Sequence, residues 1–225
     1  MKHTRADLLH LLAVCDAVSE PTQPVREALA LGYDRAELVE PTLSSTRALV
    51  ASMDHEDGTL GPHVVVAFRG TVADTQEETA TNVLADALAI PTRPLGLRLP
   101  GRVHAGWWAL LGKVYDPVMR VVNGYKPSTL WVTGFSLGGA MATGFWLVEP
   151  DSRCVTFGAP KLGTRRISRA LDSDNVTRVA LRGDLLARLP SSPYRHGGRA
   201  IVLPGSRHSR AEYAEVIGRA APGLL

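Results

Sequence analysis

Val132-Thr133-Gly134-Phe135-Ser136-Leu137-Gly138-Gly139-Ala140 places a serine between two glycines, each two residues away. The residues leading into it, Thr129–Phe135 (TLWVTGF), are β-branched and aromatic in the manner of a strand. Those following it, Leu137–Leu147 (LGGAMATGFWL), are helix-like though rich in glycine. A sharp strand-to-helix turn strains its central residue, and a Cβ two positions before or after that residue would collide across the turn. The GxSxG spacing therefore predicts a nucleophile elbow, with the Ser136 hydroxyl held clear of a sheet at a helix N-terminus. Backbone N–H groups there, that of Leu137 first, face the place where charge develops on an attacked carbonyl oxygen. GxSxG by itself is weak, since about one chain in ten of this composition carries it by chance. The strand and helix around it are what give it weight.

Similar segments alternate along the rest of the chain. His63–Phe68 (HVVVAF) is a continuous apolar run suited to a buried central strand, and Thr46–Met53, Arg153–Phe157, Val176–Leu181 and Arg199–Leu203 read as further strands. A first helix follows from Leu8, Leu11, Leu12 and Cys15 at helical spacing. Others are expected near Arg26–Leu31, over Gly106–Val122 with Gly112 and Pro117 bending or dividing it, over Thr164–Leu171 and over Arg210–Arg219. Such alternation argues for an α/β fold, a mostly parallel central sheet with helices on both faces. At 225 residues the chain is expected to form one domain, residues 1–225. Only Val72–Gly101 loses strand character: it carries four acids before its first base, Arg93, and prolines 91, 94 and 100 interrupt it. Within it TATNVLADALAI looks like a short helix.

Composition narrows the classes. With 45% hydrophobic and 21% charged residues the chain is neither disordered nor collagen-like, and no apolar run approaches the ~18 residues of a transmembrane segment. Cys15 and Cys154 are too few for a disulfide framework, and no histidines stand at metal spacing, so no metal and no cofactor is expected. Asp7 and His10 interrupt the N-terminal apolar stretch, which reads as a helix of the fold rather than a signal peptide. A cytoplasmic location is the resulting expectation, with secretion still open. The net charge of +3 is too small for nucleic-acid binding but unevenly spread. Residues 1–150 hold 12 Lys and Arg against 16 Asp and Glu, and residues 151–225 hold 13 against 6. Scattered surface arginines explain this blandly, and attraction to an anionic lipid surface explains it sharply.

An elbow serine needs a base, and in α/β-hydrolases the order along the chain is nucleophile, acid, histidine. Only His196 and His208 follow Ser136. His208 lies in PGSRHSRAEY, after the last expected strand and ahead of the final helix, from where it can swing over the elbow; His196 precedes that strand. The acid belongs just beyond a later strand, and RVALRGDLLARLP puts Asp184 there, whereas Asp172 and Asp174 lie in a polar turn before it. His63 and His104 precede the serine and are expected to satisfy hydrogen bonds in or near the core.

Several separated stretches together resemble the fungal-type (class 3) lipases, from about Ala48 to Tyr213 and in family order. VVVAFRGT resembles their oxyanion strand and loop, VHAGWW their His-x-Gly-aromatic stretch, VTGFSLGGA their elbow, and VTFGAPKLG the strand and loop after it. GDLLARLP is similar to the segment bearing their catalytic aspartate, and RHSRAEY to that bearing their histidine. The resemblance implies an α/β-hydrolase fold, a triad of Ser136, Asp184 and His208, and an oxyanion hole formed by Thr71 and Leu137. It also implies a lid over residues 72–90, with Asn82–Ala87 similar to the lid helix and Val83 where a tryptophan is common. Docking of that helix on the core explains the same apolar spacing. Ala187 stands where a proline is usual, Lys161 for arginine and Thr164 for asparagine. Trp107, Trp108, Leu185 and Leu186 are candidate walls for an acyl chain. The implied activity is hydrolysis of acyl esters of lipids through an acyl-enzyme on Ser136, with a lipid substrate and contact with a lipid–water interface. A phospholipase or short-chain esterase with the same triad is the nearest alternative, and a non-catalytic lipase-fold interaction protein the more distant one.

Overall fold

The computed structural model describes residues 3–41, 46–54, 61–70, 90–94 and 98–221. Helices α1 (Arg5–Ser19) and α2 (Pro24–Ala30) lead into strands β1 (Arg35–Val39), β2 (Ala48–Met53) and β3 (His63–Phe68). The short strands β4 (Pro91–Thr92) and β5 (Val103–His104) precede helix α3 (Ala105–Tyr125). Strand β6 (Thr129–Phe135), helix α4 (Leu137–Val148), strands β7 (Arg153–Phe157) and β8 (Gly163–Thr164), and helix α5 (Arg165–Ala170) follow. Strand β9 (Val176–Leu181), a 3-10 turn at Leu186–Arg188, strands β10 (Tyr194–Arg195) and β11 (Arg199–Leu203), and helix α6 (Arg210–Arg219) complete the order.

Seven strands pair as β1-β2-β3-β6-β7-β9-β11. From β3 to β11 every pairing is parallel, while β1 and β2 join one edge antiparallel, so the sheet is mostly parallel as expected. Alternation within β3 explains why HVVVAF is apolar throughout. Val64, Val66 and Phe68 pack on one face against Trp107, Leu111 and Val114 of α3 and Phe145 of α4. Val65 and Ala67 face the other way, toward Leu8 and Leu12 of α1 and Tyr213 and Ile217 of α6. The two free cysteines fall on opposite faces, and burial pushes both thiols up to about 12. Among the described residues no helix is long and apolar enough to cross a membrane.

Two local expectations change. Pro117 does not divide α3, which runs unbroken through it. The hydrogen bond it forgoes is to the carbonyl of Lys113, an exposed residue, while Val114 and Val118 beside it are fully buried and anchor both turns. Thr164 caps α5 rather than starting it. The parallel strands β3, β6, β7, β9 and β11 all end at one edge, at Phe68, Phe135, Phe157, Leu181 and Leu203, and the residues singled out for chemistry follow those ends.

Candidate active site

Ser136 sits between β6 and α4 with φ 56° and ψ −127°, a left-handed conformation rarely adopted by a residue with a side chain. Holding it there costs about 1–3 kcal/mol, which the neighbouring backbone must supply. Its N–H donates to the Phe157 carbonyl at 2.9 Å, and its own carbonyl accepts from Gly139 N–H at 2.9 Å. The flanking glycines are required by contact. A Cβ on Gly134 would lie 2.2 Å from the Gly138 carbonyl carbon, and one on Gly138 would lie 2.0 Å from Phe68 O. The elbow is thus wedged against the end of β3, and Gly70 just beyond passes over it, its own ideal Cβ only 3.6 Å from that of Ser136. Leu137 is the first residue of α4, so its N–H has no acceptor within the helix. Thr71, expected as the second oxyanion donor, and residues 72–89 of the expected lid lie outside the described residues.

Asp184 follows β9 and is fully buried. Its Oδ2 accepts from His208 Nδ1 at 2.8 Å and from the Tyr213 hydroxyl at 2.7 Å, and its Oδ1 accepts from Ala187 N–H at 3.2 Å. Burial alone would push this carboxyl up. The hydrogen bond and charge of His208, then the Tyr213 hydroxyl and the Ala187 amide, outweigh it and hold the group below the ordinary carboxylate range. A carboxylate can only accept, so His208 Nδ1 carries a proton, and in the neutral imidazole Nε2 is the nitrogen that keeps its lone pair. That Nε2 is buried and has no hydrogen-bond partner among the described residues. The imidazole packs against Phe135, ring centroids 4.7 Å apart, and lies beside Gly158, where a Cβ would be 3.1 Å from its Cε1. Phe135 precedes Ser136, and Gly158 follows the residue whose carbonyl holds Ser136 N–H. The structure therefore brings His208 and Asp184 together at the elbow.

His196 is not in that group. Its Nε2 donates to the Ala187 carbonyl at 2.7 Å, bracing the turn after Asp184. His104 is fully buried, accepts from Trp107 N–H at its Nδ1 and stacks on the Trp107 ring at 3.9 Å, while His63 meets Thr129 Oγ1 at an exposed strand start. Burial pushes both His104 and His196 down to about 4, with Arg178 adding to the effect on His196. Between pH 6.5 and about 4 the unfolded chain binds protons at these positions that the folded chain does not, so stability falls as pH falls through that window. The expected loss is about 2 kcal/mol per histidine between pH 7 and pH 5. Urea unfolding midpoints at the two pH values measure it, and His104→Gln and His196→Gln should each flatten the dependence; unchanged midpoints across the window would refute it.

Sequence reasoning passed over two partners of Asp184. Tyr213 is fully buried on the inward face of α6, and its hydroxyl also accepts from Leu181 N–H at 3.2 Å. A tyrosine facing the core from the helix that follows the histidine is the signal that could have found it. Ala187 supplies an amide donor that a proline at the same place would lack. Lys161 reaches the carbonyls of Arg188 and Pro190 and ties down the same loop. The four residues expected to wall an acyl site divide. Trp107 and Leu186 are buried in the cluster between the sheet and α3, with Trp108 packed against it, whereas Leu185 is 69% exposed.

Comparison with known proteins bears on the family and the fold. Residues 65–194, well over half of the chain, match the family described as lipase (class 3). A 151-residue stretch, 56% of this chain, is 27% identical to the chloroplastic phospholipase A(1) DAD1 of Arabidopsis thaliana and covers 33% of it. The chain thus spans about a third of that relative's length. Among solved structures, the lipase of Rhizopus microsporus var. chinensis superposes with a TM-score of 0.67 at 21% identity, covering 91% of this chain and 76% of that one. A triacylglycerol lipase whose catalytic centre is described as a serine protease triad superposes with a TM-score of 0.67 at 20% identity, covering 90% and 82%. The fold is that of these lipases, an α/β-hydrolase type, and the chain belongs to the class 3 lipase family.

Proposed function

We propose that this protein is a serine carboxylic-ester hydrolase that cleaves acyl esters of lipids, with Ser136 as nucleophile, His208 as general base and acid, and Asp184 as its orienting carboxylate. One observation carries the reading: a buried Asp184–His208 pair at 2.8 Å whose imidazole packs on Phe135, the residue before the strained Ser136. Among the described residues His104 also leaves a buried Nε2 unpartnered, so what sets His208 apart is its carboxylate partner and its seat against Phe135, next to Ser136. In the reaction Nε2 takes the Ser136 proton as Oγ adds to the ester carbonyl. The Leu137 N–H and Thr71 receive the oxyanion. Asp184 steadies the imidazolium, which then protonates the departing alcohol, and water repeats the sequence on the acyl-enzyme to release the fatty acid. The names of the relatives support lipid esters as the substrate class, and the plant relative's name favours a phospholipid as the second reading.

An alkyl phosphonofluoridate, which traps an activated serine, tests the assignment. The expected result is stoichiometric inactivation of ester hydrolysis, with one adduct on Ser136 located by mass spectrometry. Hydrolysis that survives full labelling of Ser136, or a protein with neither labelling nor hydrolysis on any acyl length, would overturn it and leave an interaction protein on a lipase fold. Rates on triacylglycerol and phospholipid emulsions then separate the two substrate readings.

A further inference from the structure

The stretch from 176 to 211 holds seven arginines and a single acid, Asp184, which is buried and fully engaged. The fold divides the seven. Arg178 and Arg199 lie within strands, and Arg210 is held by Asp16 of α1. Arg182, Arg188, Arg195 and Arg207 are exposed. Arg182 and Arg188 bracket Asp184 in the loop after β9, where Arg188 Nη2 donates to the Arg182 carbonyl at 2.6 Å. Gly183 N–H donates to the Gly205 carbonyl at 2.8 Å, which joins this loop to the one carrying Arg207 and His208. Lys161 reaches into the same group through the Arg188 and Pro190 carbonyls. Partial burial, together with the nearby charges of Arg195 and Arg188, pushes its ammonium down, as expected where cations crowd without a counter-charge.

Among the described residues Lys161, Arg182, Arg188 and Arg195 form no ion pair, and Arg207 has only a 3.5 Å contact to Glu212 while 72% exposed. Crowding like charges works against folding, so an external anion is what would relieve it. In the middle of this collar Leu185, the residue after Asp184, is 69% exposed. A free polyanion or a nucleic acid has no use for a leucine at the centre of a cationic patch. A bilayer surface has use for both, since head-group phosphates take the arginines and the acyl boundary takes the apolar tip.

We infer that this rim docks the catalytic edge onto an anionic phospholipid surface, with Arg182, Arg188, Arg195, Arg207 and Lys161 against the phosphates and Leu185 inserted between them. The inference rests on reading the adjacent triad as an ester-hydrolysing site, because docking there delivers substrate to Ser136. Co-flotation of the full chain, carrying Ser136→Ala to prevent turnover, with phosphatidylcholine vesicles and with vesicles about a third phosphatidylglycerol is the test. Binding is expected on the anionic vesicles only, and to disappear near 0.5 M salt, where screening cuts the reach of each charge to about 4 Å. Each arginine near the surface strengthens binding about fivefold, so Arg182→Gln with Arg188→Gln should weaken it about twenty-five-fold. Leu185→Ser should weaken it about tenfold. In the Ser136 background the arginine pair should leave hydrolysis of a soluble short-chain ester within about twofold, which shows that the site is intact. Equal binding to neutral and anionic vesicles, no effect of the arginine pair, or stronger retention on heparin than on vesicles with Leu185→Ser silent would each overturn the inference. Vesicle binding without any ester hydrolysis would instead strike the triad reading and leave the docking surface standing.

Discussion

Ser136→Ala, His208→Ala and the double variant are expected to lose the same activity, on the order of 10⁶ in kcat, because a nucleophile without its base and a base without its nucleophile are equally idle. What survives is acceleration by binding and the oxyanion donors, roughly 10³–10⁴ over water. Asp184→Asn should cost less, on the order of 10⁴, since it spares both reacting groups but favours the wrong His208 tautomer: the amide would donate to Nδ1 and leave the proton on Nε2. His196→Ala separates chemistry from support. Its Nε2 is spent on the Ala187 carbonyl, so removing it loosens the turn after Asp184 and should lower kcat by no more than about tenfold while reducing stability by about 1–2 kcal/mol. Steady-state kinetics on one soluble ester, with urea midpoints alongside, reads all five variants. An active His208→Ala with an inactive His196→Ala would reverse the base assignment, and losses that multiply in the double variant would show that the two residues do not act together.

The distribution of what was legible beforehand follows from the range of the interactions involved. The elbow was readable because its constraints are local: two glycines and a serine within five residues dictate the turn, and the strands β3, β6, β7, β9 and β11 announce themselves as apolar runs bounded by turns. Strand β1 was not readable. Its RAELV mixes charge and apolar residues with only Val39 buried, since it is the outermost strand and half of it faces water. The small sheet of β4, β5, β8 and β10 has two-residue strands, too short for any period to show. Asp184 and His208 could be placed by their positions after strands, but not the company they keep. Tyr213 and the Ala187 amide act on the carboxylate across 29 and 3 residues, and only the packing of α6 under the sheet edge brings the first of them in. The acyl-wall candidates divide for the related reason that large apolar residues serve the core first: Trp107 and Leu186 went inside, Trp108 packs against them, and Leu185 was left outside.

Gly138→Ala is expected to destabilise the protein by more than about 4 kcal/mol and to abolish activity. The added Cβ would stand 2.0 Å from Phe68 O, 2.9 Å from Phe68 C and 3.0 Å from Arg69 C. All three are backbone atoms at the end of a central strand, so no side chain can rotate away and either β3 or the elbow must move. Gly112→Ala in the exposed part of α3, with nothing within 4 Å of the new methyl, should instead stabilise by about 0.5–1 kcal/mol through helix propensity alone. The contrast isolates contact from composition, because both replacements put alanine for glycine in a helix. Gly158→Ala lies between them. At φ +57° the backbone is strained for any side chain, and the methyl would sit 3.0 Å from the Tyr213 hydroxyl, 3.1 Å from His208 Cε1 and 3.2 Å from Asp184 Oδ2. Those are side-chain atoms that can give by a few tenths of an ångström, so the fold should survive at a cost of about 1–3 kcal/mol. The displacement falls on the hydrogen bonds that orient His208, and kcat should drop by about a hundredfold with KM little changed. Full activity in Gly158→Ala would mean that the imidazole does not need the seat described here, and a stable, active Gly138→Ala would mean that the elbow is not packed against β3.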